Sequence, residues 1–187
     1  MKQYIGPSIR LTIITIIFFC GVYSVVILGA AQASPAKGEG ATVTVNGKVV
    51  GYELEGQSFT QDKYFYSRPS AVAYNAAGSA GSNKGPSNPD YLQQVSDRID
   101  SFLVHNPGVK KADIPSELVT ASGSGLDPDI SPEAAKIQVK RIAAVRGVSE
   151  DKISALVDAH TEKPLLGLLG TSKVNVLKLN VALDALK

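Results

Sequence analysis

Between Val119 and Ala135 the chain reads VTASGSGLDPDISPEAA, dense in small hydroxyls and glycines, with carboxylates at Asp127 and Asp129 and a helix start at Ser131-Pro132. A loop that feeds a helix N-terminus can hold an anion on free backbone amides. The same residue types, Ser122, Ser124 and Asp127, also satisfy their own backbone through turns and caps wherever they occur. Both readings stand on sequence, and neither supplies a nucleophile with its base. No G-x-S-x-G elbow occurs in the chain, so hydrolase chemistry has little support. Gly78 to Gly85, GSAGSNKG, has the look of a phosphate loop, but Lys84 is followed by Gly85 and Pro86 where the P-loop needs a hydroxyl. The 2 histidines, His105 and His160, have no partner at metal-ligand spacing and fall near helix ends, where exposure is the ordinary expectation. The single cysteine, Cys20, lies in an apolar run, so the chain can form no internal disulfide or thiolate metal site. Arg68, between the aromatics Tyr64 to Tyr66 and Pro69, can stack on a ring and make a bidentate contact with a carboxylate, as a loop brace or a partner contact.

The elements that position these residues follow from pattern. ATVTV and KVVGYELEG flank Asn46-Gly47, a type I′ hairpin signal. Tyr74 to Pro89 is almost all Ala, Gly, Ser and Asn, a long irregular loop of the kind that is usually functional or disordered. Asn88 as N-cap and Pro89 at the first helical position open a helix that should bury Leu92, Val95, Ile99 and Leu103 and end near Asn106. Glu117 to Ala121 has the look of a short strand, followed by a loop over Ser122 to Ile130. A second helix is expected from Ser131 to Gly147, carrying Ala134, Ile137, Arg141, Ile142 and Val145. A third opens at Ser149, with Glu150 and Asp151 favoured by the dipole of its first turn. VNVLKLNVALDAL forms the last. A hairpin first and helices later predict an α+β domain.

Ahead of that domain, Leu11 to Ala31 carries no charge and matches the roughly 20 residues a bilayer-spanning helix needs. A cleaved signal is the alternative, with Lys2 and Arg10 as its basic region and Ala31-Gln32-Ala33 as a cleavage site. The apolar run is longer than the about 7 to 15 residues of a signal core, which favours an uncleaved anchor. Lys2 and Arg10 place the short N-terminus in the cytoplasm by the positive-inside bias. The expected layout is a cytoplasmic segment over 1–10, a span over 11–31, a linker over 32–40 and an extracytoplasmic α+β domain over 41–187. Of the 19 Lys and Arg only Lys2 and Arg10 precede the span, so the outer domain's remaining cations balance the 17 Asp and Glu. That neutrality argues against nucleic acid as a partner. At about 150 residues the domain is large enough to hold itself by packing.

Four stretches in order behind one span, YFYSRPSA (Tyr64 to Ala71), GSNKGPSNP (Gly81 to Pro89), VTASGSGLDPDISPEAA and VNVLKLNVALD (Val174 to Asp184), resemble the KdpC family. This family is the small C subunit of bacterial Kdp potassium-transporting P-type ATPases. The chain departs from the family pattern at Tyr23-Ser24, where Tyr-Pro is common, at Lys140 before Arg141, and at Ala80 in the long loop. The resemblance implies a bacterial membrane complex that uses ATP, Mg and K, in which a channel-like subunit carries potassium and a P-type ATPase subunit is phosphorylated on aspartate. The C subunit is then an accessory chain needed for assembly, with no cofactor of its own. The alternative is an anchored binding module unrelated to transport.

From the first motif the resemblance draws Tyr64, Phe65, Arg68, Pro69 and Ser70 as family or docking residues, and from the second Ser82, Asn83, Ser87, Asn88 and Pro89. The third adds Thr120, Ser122, Gly125, Leu126, Asp127, Ser131 and Pro132, the second helix Arg141, and the last motif Asn175 and Asn180. The family is also described as a catalytic chaperone that raises the ATP affinity of the ATPase subunit, and Ser122, Gly125 and Gln138 are its suggested nucleotide-related residues. With the orientation above these three lie outside the cell and ATP inside, so an effect on ATP affinity requires allosteric coupling through the membrane subunits.

Overall fold

An uninterrupted run of apolar side chains with no charge to hold in water favours a helix that is hydrophobic all round. In the computed structural model, which describes residues 2–186, this is α1 (Lys2–Ile16), a π-helical stretch (Ile17–Tyr23) and α2 (Ser24–Gln32) in succession. The helix is long and apolar enough over Gln3–Gln32 to cross a membrane, and none of that window is buried by protein. It begins well before Leu11 and includes Pro7. The widened turns end at Tyr23, and the Ser24 hydroxyl donates to Phe19 O (3.3 Å), five residues back. Met1 and Lys187, the outer ends of the expected cytoplasmic segment and outer domain, lie outside the described residues.

Contacts divide the chain into Met1–Ala41 and Thr42–Lys187. The second unit opens on the expected hairpin, β1 (Thr42–Val45) and β2 (Lys48–Tyr52), antiparallel with a bulge between Val43 and Thr44. Asn46 and Gly47 have φ of 50° and 78°, the positive pair that a type I′ turn requires. After a mostly irregular stretch comes α3 (Pro89–His105), capped by Asn88 Oδ1 accepting from Tyr91 N (3.1 Å). Its buried residue is Phe102; Leu92, expected in the core, is 53% exposed. Val95, Ile99 and Leu103, the rest of the expected face, are partly buried.

Glu117 to Ala121 is not a strand. It is a 3-10 turn (Ser116–Leu118) continued by bends, and the strand comes later as β3 (Asp129–Ile130). The single helix expected from Ser131 to Gly147 is two: α4 (Pro132–Lys136) and α5 (Val139–Arg146), broken at Ile137-Gln138. The break turns Arg141 inward, where it is buried, and leaves Val145 exposed. Gly147 closes α5 at φ 65°, a left-handed cap that glycine adopts without a Cβ penalty. Then follow α6 (Glu150–Ala159), β4 (Thr161–Glu162), β5 (Lys173–Asn175) and α7 (Val176–Ala185). Strand β5 is central in a short antiparallel sheet ordered β3-β5-β4. The core includes Phe65, Phe102, Ile130, Ile142, Ile153, Val157, Leu179 and Leu183, so the helices close over one face of the strands and over Phe65. The domain is α+β.

Candidate functional site

Extended chain with no strand partner must find other groups for its amides and carbonyls. The YFYSRPSA segment finds them in side chains. Asn180, on α7, brackets Phe65: its Oδ1 accepts from Phe65 N (2.9 Å) and its Nδ2 donates to Phe65 O (3.0 Å). Gln138, at the break between α4 and α5, accepts from Tyr66 N (2.8 Å) and from Arg141 Nη2 (2.7 Å), and donates to Ala134 O (3.0 Å). Arg141 donates through Nε to Asn106 Oδ1 (2.9 Å) and through Nη1 to Tyr64 O (3.0 Å) and Asp62 O. Its guanidinium lies 4.0 Å from the centre of the Tyr66 ring. Burial pulls the Arg141 pKa below the free guanidinium value, opposed by Tyr66 and Asp62. A buried cation is tolerable only when its donors are filled, and each nitrogen here has an oxygen.

Two carboxylates finish this framework. Asp62 accepts from the Tyr66 hydroxyl and lies 2.8 Å from His105 Nδ1. The Tyr66 hydrogen bond, aided by His105, holds its carboxyl below the usual range against the opposing effect of burial. Tyr66 is pushed up to about 12, by burial first and by the Asp62 hydrogen bond second. Asp184 accepts from Tyr64 Oη (2.8 Å) and Arg146 Nη2 (2.6 Å); desolvation opposes these bonds, yet they hold its pKa down. Apart from Asp62–Tyr66 and Gln138–Arg141, these contacts between side chains join residues 35 or more positions apart, which nothing in the sequence pairs. Asp62, Asn106, Arg146 and Asp184 were absent from the expected set for that reason, and Tyr66 was quoted only within its motif.

The Ser122 to Ile130 segment rests in a cradle of three other segments. Ser122 N donates to Pro69 O (3.1 Å), Gly56 N to Leu126 O (2.7 Å), and Ser79 Oγ to Ser124 O (2.9 Å). Its own side chains finish the turns: Ser124 Oγ accepts from Leu126 N (3.0 Å) and Asp127 Oδ1 from Asp129 N (3.1 Å). Gly125 has φ 69°, and a Cβ there would fall 2.6 Å from Val72 Cγ2 and 2.8 Å from Ala80 O. Ser122 and Gly125 are buried, and Gly123 and Ser124 form the exposed tip. Helix α4 starts with Ser131 Oγ accepting from Ala134 N (3.1 Å) and Pro132 in the first turn, while Ser131 N donates to Glu117 Oε1 (3.0 Å).

Arg68 does not stack on the aromatics, and its contact is single: Nη1 to Asp127 Oδ2 at 2.8 Å. Rings Tyr64 and Tyr66 are taken by Arg146 and Arg141 instead. Arg68 joins Asp127, Asp129, Glu117, Glu133 and Lys173 around a cleft of about 650 Å³, in which Lys173 Nζ meets Asp129 Oδ2 at 2.7 Å. The remaining motif residues are placed in two groups. Ser70 Oγ accepts from Tyr74 N (2.9 Å), Thr120 Oγ1 donates to Ser116 O (2.8 Å), and Asn175 caps α7 while donating to Glu53 O (2.8 Å). Ser82, Asn83 and Ser87 stay exposed on the long loop. His160 is half-buried, its Nδ1 2.9 Å from Leu156 O, where exposure was expected. Among the described residues no group of three or more His, Cys, Asp and Glu is placed to hold a metal ion.

Against this geometry, comparison with known proteins gives one consistent result. The family model described as KdpC, K+-transporting ATPase, c chain, matches residues 5–185. A potassium-transporting ATPase KdpC subunit of Flavobacterium psychrophilum is 59% identical over 179 residues, 96% of each chain. Its counterpart in Bacteroides fragilis is 53% identical over 183 residues, again 96% of each chain. That of Geobacter sulfurreducens is 49% identical over 191 residues, 100% of this chain and 99% of the relative.

Proposed function

The chain belongs to the KdpC family of potassium-transporting ATPase subunits, and we propose that it is a non-catalytic docking subunit that holds its partners through two exposed loops. One is the Gly123-Ser124 tip, and the other is the small-residue loop between Tyr74 and Pro89. The observation that carries this reading is the division of labour among the motif residues. The large polar groups, Gln138, Arg141, Asn175 and Asn180, are buried and bonded inside the domain, while Ser82, Asn83, Ser87 and Ser124 face outward. The Ser79–Ser124 bond joins the two loops into one surface. Small side chains on a rigid backing let a partner approach the backbone closely, which suits assembly and offers no general base.

The partners in this reading are the channel-like subunit and the P-type ATPase subunit, with the domain outside the membrane and the N-terminus in the cytoplasm, as the Lys2 and Arg10 bias favours. Raised ATP affinity, where it occurs, is then a coupling through the membrane subunits. Gln138 supports this, since it has no exposed surface and all its polar atoms are engaged. Two substitutions test the proposal. Gly125→Val forces a β-branched residue to positive φ and reshapes the cradle, and Ser82→Trp adds bulk to the exposed face alone. Both should reduce co-purification of the complex and its potassium-stimulated ATPase, and Ser82→Trp should leave melting of the full chain unchanged. Full assembly by both variants contradicts the proposal. So does calorimetric binding of ATP to the chain that Gln138→Ala abolishes.

A further inference from the structure

The connection between β4 and β5 contains Pro164-Leu165-Leu166-Gly167-Leu168-Leu169-Gly170, without a charge. Its leucines do not join the core: Leu166 and Leu168 are 83% and 87% exposed, and Leu165 and Leu169 exceed 60%. Four adjacent leucines held in water form an apolar patch that soluble surfaces avoid unless something covers it. The loop is nonetheless built as a closed unit. Leu165 and Leu169 exchange backbone hydrogen bonds (2.9 and 3.0 Å), Gly167 N donates to Pro164 O (2.9 Å), and Leu168 N donates to Leu165 O (3.2 Å). Leu166 has φ 56°, a conformation uncommon for a bulky side chain, so its outward direction is set by the turn rather than by packing.

We infer that this leucine loop inserts into the bilayer interface and gives the domain a second, reversible membrane contact beside its helical anchor. Backbone donors are what keeps irregular loops out of hydrocarbon, because each unsatisfied group is costly there. This tip has already filled four of them within itself. Lys163, exposed directly before Pro164, can reach lipid phosphate while the leucines enter the acyl boundary. The tether is short: the helix ends at Gln32, the domain begins at Thr42, and the residues between span at most roughly 30 Å. The inference rests on the membrane-spanning reading of the apolar helix and is independent of which loops meet partner subunits.

The test uses the full chain in phosphatidylcholine liposomes, with Cys20→Ser removing the only thiol. An environment-sensitive nitrobenzoxadiazole label is attached at Leu168→Cys or, as a control on exposed α6, at Lys152→Cys. The label at position 168 should shift to the blue, be quenched by nitroxide lipids and be shielded from iodide, whereas that at 152 should show none of this. Adding Leu166→Ser and Leu169→Ser should reduce lipid quenching at position 168 at least threefold. Equal iodide quenching at both positions with no effect of nitroxide lipids overturns the inference. Shielding at position 168 that arises only when the partner subunits are added also overturns it and assigns the loop to protein docking.

Discussion

Replacing Arg141 offers a sharp test of whether the motif residues are framework or contact surface. Arg141→Met keeps most of the volume and removes the donors to Asn106 Oδ1, Tyr64 O, Asp62 O and Gln138 Oε1. Gln138 Oε1 still accepts from Tyr66 N, but Asn106 is buried and its oxygen is left without a donor. A buried acceptor left unsatisfied costs about 1–3 kcal/mol. Removing the cation also relieves the cost of having desolvated it and strands no buried countercharge, since all four acceptors are neutral oxygens, so the net loss stays within about 1–3 kcal/mol. For a domain of this size each kcal/mol moves the midpoint by roughly 2–4 °C, so the full chain should melt about 5 °C lower. Arg141→Lys keeps the charge but gathers its donors at one point, and should fall between the two. The assay is circular-dichroism melting of detergent-solubilised chain, alongside pull-down of the complex. An unchanged melt with lost assembly would make Arg141 a contact residue and refute the framework reading.

Acid should act through Asp62 and Asp184. Both are depressed in the folded domain, so their contribution is present above the unfolded carboxylate value of about 3.9 and is lost as pH falls through the lower folded values. Asp62→Asn should flatten that acid arm in melting measured between neutral pH and the unfolding limit. Alkali should act through Tyr66, whose raised value gives a contribution fully present below about 10 and lost toward about 12. Tyr64 and Tyr74 are raised as well, so tyrosinate absorbance should show a late-titrating group of residues from which Tyr66→Phe removes one. Ser131→Ala deletes the cap on Ala134 N and should cost about 0.5–2 kcal/mol with assembly intact. Arg68→Lys should change stability by less than about 1 kcal/mol in denaturant titration, because the partly exposed pair with Asp127 is a single contact that an ammonium can reproduce.

Local signals were the legible part of the fold. Asn46-Gly47, Asn88-Pro89, Ser131-Pro132 and Gly147 each work within a few residues, and each marks its element correctly. The α4–α5 break was not legible, because helical periodicity continues through Ile137-Gln138, while the bond Gln138 makes there to Tyr66 N is tertiary. On α3 the apolar period was legible over Val95, Ile99 and Leu103, and only Leu92, in the first turn, stays exposed. The loop after Val119 was legible as self-satisfied turns through its Ser and Asp residues, whereas its cradle depends on Gly56, Pro69 and Ser79, separated in sequence and joined only by the fold.

The most direct measurement places a benzophenone amino acid at Ser124, the exposed end of the loop, and at Asp158 on α6 as control, in the potassium-transporting complex under turnover. The docking account expects crosslinks from position 124 to a partner subunit and few from 158. Solvent-exposed, uncrosslinked Ser124 in an active, fully assembled complex contradicts it.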